Sequence, residues 1–126
     1  MQWGILAAVA AGGAVGSLLR YFVAGAIQQP TMQFPLGILV VNVTGGLLMG
    51  IIVELSALRL HLSPELRAFL TVGILGGYTT FSTFSLDSAL LIQRGQYASA
   101  AAYIGGSVVL SIVALFSGLW LVRVTI

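Results

Sequence analysis

The sequence predicts an all-α membrane protein of four transmembrane helices, and three observations carry that prediction. Of its 126 residues 59% are hydrophobic and only 6% charged, too apolar for a domain that must cover itself with polar surface in water. A membrane-crossing helix needs roughly 20 apolar residues, so about four crossings consume most of a chain this long. The charged residues gather mainly between the apolar stretches, which is where a polytopic chain places its loops.

The first stretch runs over about 5–27, is interrupted by Arg20, and is closed by Gln28-Gln29-Pro30, where proline and polar residues end a helix. Met1-Gln2-Trp3 lacks the basic segment of a secretory signal, and the apolar run behind it is too long for one, so it is expected to stay as the first span. A second stretch, about 36–53, is followed by Glu54 and then by Arg59, His61, Glu65 and Arg67, a segment that reads as a solvated loop. The third, about 68–92, carries Gly76-Gly77-Tyr78-Thr79 at its centre. Paired glycines with hydroxyl residues predict a helix broken at that point. The fourth, about 98–122, follows the turn at Arg94-Gly95-Gln96 and is capped by Arg123, whose long stem can reach the interface. Four spans put both termini on one side, and the whole of 1–126 is expected to be a single integral membrane domain.

Charge and composition exclude several functions. Five arginines and three acids are scattered singly, without the basic run that marks nucleic-acid binding, so no nucleic-acid partner is expected. The absence of cysteine removes disulfides, thiolate metal sites and cysteine nucleophiles. The one histidine lies in the charged loop, and no catalytic triad, carboxylate pair or P-loop is present, so no enzyme is expected. Arginine is too evenly divided between the two sides to set one orientation, and insertion both ways fits as well as either.

Polar groups are costly in hydrocarbon, so those within the spans are the first candidates for function. In the fourth span Tyr103, Ser107 and Ser111 recur every four residues and share one helix face about 12 Å long. They form either a line of hydrogen-bond donors or hydroxyls bonded back to their own helix. In the third span Phe81 and Phe84 lie three apart, with Ser82 and Thr83 between them, just after the expected break. Such rings either pack against lipid and protein or present their positive edges to a small anion. With the Asn42 amide and nearby hydroxyls, ring edges can replace a hydration shell, and freed backbone carbonyls at the break suit a hard monovalent cation. Pairs of small residues at Gly12/Gly16, Gly46/Gly50 and Gly73/Gly77 let helix backbones approach closely, and tight bundle packing is their simplest reading.

Four segments together resemble the Fluc (CrcB) family of small fluoride channels: residues 12–21 around Arg20, residues 37–45 around Asn42, the run from Gly76 to Ser85, and the ladder of Tyr103, Ser107 and Ser111. The resemblance covers the whole chain, and the Gly76–Ser85 run is its most specific part. It implies an antiparallel, dual-topology homodimer with two symmetric pores in a bacterial inner membrane, passively exporting fluoride and so relieving its toxicity. By the same carry-over Asn42, Phe81 and Phe84 line the fluoride path, while Ser82, Thr83, Tyr103, Ser107 and Ser111 supply a polar track. The main-chain carbonyls of Gly76 and Thr79 from both copies would hold a structural sodium ion. Arg20 falls on the family's first-span arginine, either as a vestibule charge or as an anchor near the span end. Ile38 stands where relatives often carry Thr, and Asp87 where Glu is frequent.

Two rivals come from other classes. A dual-topology exporter coupled to protons has a similar length but needs an intramembrane carboxylate, ideally in the first span, where this chain has Arg20 instead. A non-transporting assembly subunit would use the small residues only to pack against a larger partner.

Overall fold

The computed structural model describes residues 2–126. Four helical segments are long and apolar enough to cross a membrane: Trp3–Ile27, Leu36–Leu58, Pro64–Gln93 and Tyr97–Thr125. The first two are single helices, α1 (Trp3–Ile27) and α2 (Leu36–Leu58). The third segment is composite. A short helix α3 (Pro64–Arg67) leads into a π-helical stretch, Ala68–Leu75, then a single turn α4 (Gly76–Tyr78), and after an interruption α5 (Phe81–Gln93). The last is α6 (Tyr97–Thr125).

The ends follow from local chemistry. Ser63 caps α3 by accepting the Leu66 N–H at 3.1 Å, with Pro64 in the first helical position, so the third segment begins before the boundary the hydropathy suggests. At the end of α5, Gly95 takes φ of 75° while the Gln96 N–H reaches back to the Leu91 carbonyl at 2.9 Å. That is a left-handed glycine cap, and it turns the chain into α6 within three residues.

Two neighbouring pairs of helices run parallel. A Cβ on Gly12 would lie 2.5 Å from the Phe69 carbonyl oxygen, and one on Gly77 would lie 2.8 Å from the Gly13 oxygen, so α1 and the third segment touch backbone to backbone in matching order. Likewise Gly46 faces the Ser111 carbonyl and Gly50 the Leu115 carbonyl, which holds α2 against α6. The loop between α1 and α2 is short because Gln28 staples it. Its Nε2 donates to the Met32 and Phe34 carbonyls, both at 3.0 Å, and its Oε1 accepts the Gly37 N–H at 3.0 Å. Both chain ends therefore lie at one end of the bundle, where Arg59 donates to the Ile126 carbonyl.

Two details differ from the sequence reading. The α2 helix continues to Leu58, so Glu54 lies inside it and is buried, instead of opening the solvated loop. The interruption of the third segment falls at Thr79–Thr80, whereas Gly76 and Gly77 remain helical. The reason is that Gly77, like Gly73, is used for close approach to α1 and not for unwinding. The π-helical stretch is hydrophobic on all sides, so no periodicity in the sequence marks it.

The buried centre is small and lies near the junction of α5 and α6, where Leu91, Ala100 and Tyr103 pack with Phe34, Leu39 and Phe84. Most large apolar side chains point outward, including Leu18, Phe22, Val109, Phe116 and Trp120. In water such a surface would aggregate; in lipid it is the expected exterior.

Candidate functional site

The interruption of the third segment is held by one residue of α2. The Thr80 N–H donates to Asn42 Oδ1 at 2.9 Å, and Asn42 Nδ2 donates to the Thr80 carbonyl at 3.2 Å. A side-chain amide thus pairs with a peptide unit in both directions, satisfying backbone groups that have no helical partner at membrane depth. Thr80 also caps α5, its Oγ1 accepting the Thr83 N–H at 3.1 Å. Through that hydroxyl Ser82 and Thr83 are tied to the break, at 3.2 Å and 3.3 Å.

The cap fixes where α5 starts, and so where its aromatic rings lie. Phe81 and Phe84 have ring centroids 5.4 Å apart at 49°, and Phe84 lies 5.4 Å from the ring of Tyr103. The Phe34 ring meets Tyr103 edge to face at 5.7 Å. These rings make a continuous aromatic line from the break toward the α1–α2 loop. Tyr103 is fully buried and its hydroxyl donates to Asp87 Oδ2 at 3.1 Å.

Beside the rings is a cleft of about 380 Å³ between α2, the break and α6, lined by Asn42, Thr80, Phe81, Phe84, Ser107 and Ser111 among others. Asn42 retains one amide hydrogen beyond the one given to Thr80. Among the described residues Ser107 Oγ is the buried side-chain polar atom without a hydrogen-bond partner. An orphaned hydroxyl costs free energy at rest, so its place on a cleft calls for a ligand or a functional reason.

The structure therefore gathers Asn42, Phe81, Phe84, Ser107 and Ser111 on one cleft. Ser82 and Thr83 sit in the capping network next to it, and Tyr103 turns its hydroxyl to Asp87. Arg20 lies elsewhere, on a second and larger cleft at the end of α1, although its guanidinium makes a long 3.5 Å contact with the Thr79 carbonyl. Gly76 and Thr79 flank the last helical turn before the break. The Thr80 N–H, which in a continuous helix would close onto the Gly76 carbonyl, is taken by Asn42.

Sequence reasoning included Thr80 in the polar run but did not assign it the helix cap, although a Thr immediately before the first helical residue is a capping signature. It also passed over the hydrogen bond between the Thr44 and Tyr78 hydroxyls at 3.0 Å, a second link from α2 to the break. Glu54 pairs with Arg123 at 2.6 Å, a partnership between residues 69 apart that no local pattern reveals.

A bundle of four membrane-length helices, exposed to lipid on most sides and gathering its polar atoms at one interrupted helix, defines a small multi-pass membrane protein. Residues 7–119 match the family described as CrcB-like protein, Camphor Resistance (CrcB). A relative from Nitrobacter winogradskyi, the fluoride-specific ion channel FluC, is 57% identical over 125 residues, 98% of this chain and 99% of the relative. The fluoride-specific ion channel FluC of Rhizobium meliloti is 52% identical over 116 residues, 91% of this chain and 93% of its own length. That of Agrobacterium fabrum is 50% identical over 119 residues, 94% of this chain and 95% of its own. The chain belongs to the CrcB-like family.

Proposed function

We propose that this chain is a fluoride-specific ion channel, a multi-pass protein of a bacterial inner membrane that lets accumulated fluoride leave passively. The observation that carries the reading is the cleft at the break, whose lining brings together Asn42 with a spare amide hydrogen, Ser107 with a buried unpartnered hydroxyl, and Phe81 and Phe84. Uncharged donors and positive ring edges suit a small, strongly accepting anion, and a larger halide is less well resolvated in the same space. Ser111 extends the donor line along α6, and Ser82, Thr83 and Tyr103 complete the polar track.

The conducting unit is an antiparallel homodimer whose copies insert in opposite orientations. Phe81 is 78% exposed in the single chain, and a pathway ring with an open flank is one that a second copy would cover. The even distribution of arginine between the two ends agrees with insertion both ways.

A sodium ion at the dimer centre fits the donor set at the break. The Gly76 carbonyl has lost its usual helical donor to Asn42, and the Thr79 carbonyl lies in extended backbone, so two copies would bring four hard oxygens together. When bound, the ion would supply positive potential beside the anion path. Gly76 and Thr79 present the carbonyls, and Asn42 holds the peptide that frees the first of them.

The test is fluoride efflux from liposomes containing only the purified chain, read with a fluoride electrode and compared with chloride efflux. Fluoride release far faster than chloride release is expected. Vesicles that retain fluoride as well as protein-free ones, with the dimer shown intact, would overturn the reading.

A further inference from the structure

A second cleft, larger than the one beside the phenylalanines, lies elsewhere in the fold. It opens at the end of the bundle where α1 finishes and α6 begins, has a volume of about 600 Å³, and carries Arg20, Asp87 and Arg94 on its walls. The two arginines are not neutralised there. Among the described residues the salt bridge joins Glu54 and Arg123 at the opposite end, and neither Arg20 nor Arg94 reaches Asp87 closely enough to pair with it. Asp87 instead accepts the Tyr103 hydroxyl, and Arg20 reaches toward the Thr79 carbonyl. The Arg94 side chain is exposed and makes no hydrogen bond among the described residues.

Its backbone is nevertheless held in place. The Arg94 N–H donates to the Leu90 carbonyl at 3.0 Å, and the left-handed Gly95 with the Gln96 N–H bond to the Leu91 carbonyl sets the backbone that follows. The guanidinium is thus displayed from a fixed base over a cleft whose other walls include the apolar Pro35, Ile38 and Leu90. Low-dielectric walls focus a charge into the space between them.

We propose that Arg94 is a second anion-gathering guanidinium of this mouth, and that it sets the sign of the local potential. The inference rests on the channel reading only for its effect on flux. The Asp87 carboxylate repels anions from the cleft, and Arg20 alone would cancel it to neutrality; Arg94 makes the balance positive. The effect must weaken as salt shortens the screening length.

The absence of cysteine in the chain permits a direct measurement. Ser17 lines the same cleft, so Ser17→Cys places one thiol there with little change of volume. The rates of its modification by anionic and by cationic methanethiosulfonate reagents are compared on the reconstituted protein, at about 10 mM and about 500 mM salt. In low salt Arg94→Gln is expected to lower the anionic-to-cationic ratio roughly two- to fivefold, Arg94→Lys to retain it, and high salt to erase the difference. Fluoride efflux from the Arg94→Gln protein should fall by a similar factor in low salt only. A ratio unmoved by Arg94→Gln, or a change that persists in high salt, would overturn the inference. A ratio that shifts as expected in a protein that moves no fluoride would uphold Arg94 as an anion-gathering group and sink the channel reading instead.

Discussion

The Asn42 side chain and the Thr80 peptide unit hydrogen-bond to each other in both directions, at 2.9 Å and 3.2 Å, across the gap between α2 and the interrupted third segment. One amide therefore stabilises the break, frees the Gly76 carbonyl and fixes the start of α5, on which both phenylalanines ride.

Asn42→Asp separates these tasks, because the carboxylate can still accept the Thr80 N–H but cannot donate to the Thr80 carbonyl. The lost bond and the added negative charge beside the cleft should reduce fluoride efflux by roughly a hundredfold and cost about 1–3 kcal/mol of stability. Efflux from liposomes and denaturation in detergent check the two effects. Full flux in Asn42→Asp would mean that the cleft is not the anion path.

Ser107→Ala tests the orphaned hydroxyl. A structural hydroxyl with partners would be missed, and its removal would lower stability; one buried without a partner costs free energy where it stands. The expected result is an unfolding free energy unchanged or raised by up to about 1 kcal/mol, together with slower fluoride efflux. A destabilised protein with normal flux would assign Ser107 to packing.

Phe81→Ile and Phe84→Ile are each expected to cut fluoride efflux roughly tenfold or more while leaving dimerisation intact, since isoleucine fills space but has no positive ring edge. The two should differ in stability. Phe84 packs on Tyr103 at 5.4 Å and its loss should cost about 1 kcal/mol, whereas Phe81 is largely exposed and contributes little within one chain. Normal flux through both variants would dismiss the ring-edge assignment.

Much of the fold was legible because bilayer thickness imposes a length on every span and glycine spacing reports helix contact. The Gly12/Gly16 and Gly73/Gly77 pairs lie where α1 and the third segment touch, the close packing that their small-residue spacing predicts. Phe81, Phe84 and Asn42 were legible because polar and aromatic residues around a helix break are unusual in hydrocarbon. What stayed hidden depended on pairing between segments. The break falls at Thr79–Thr80 because Asn42, far away in sequence, captures the Thr80 peptide, and Gly77 serves close approach to α1 instead of unwinding the helix. The π-helical turns of Ala68–Leu75 leave no mark in a run that is apolar on every face.

Gly12→Ala is predicted to be severely destabilising. The added methyl would lie 2.5 Å from the Phe69 carbonyl oxygen and 2.8 Å from the Gly73 Cα, and backbone cannot swing aside as a flexible side chain can. Gly13→Ala, one residue away, meets nothing within 4 Å and should leave the folded monomer's stability nearly unchanged. Equal losses in both variants, measured by thermal unfolding in detergent, would mean that the close backbone contact at Gly12 does not govern this face, because helix propensity alone favours alanine at both positions.

Glu54 and Arg123 provide the last test, because they clamp α2 to α6 at the end of the bundle that holds both termini. Glu54 is only 7% exposed, whereas the Arg123 side chain reaches outward, so the two members are not equivalent. Arg123→Ala leaves a buried carboxylate without its counter-charge; Glu54→Gln removes the charge and keeps the volume. Arg123→Ala should therefore lower the melting temperature more than Glu54→Gln, and the double variant should recover most of the difference. Additive losses would show that the pair is not coupled. Fluoride efflux should survive Glu54→Gln, because this carboxylate lies at the far end from the Arg20 cleft and serves as a fastener; a proton-coupled carrier working through Glu54 would instead lose its transport in the same variant.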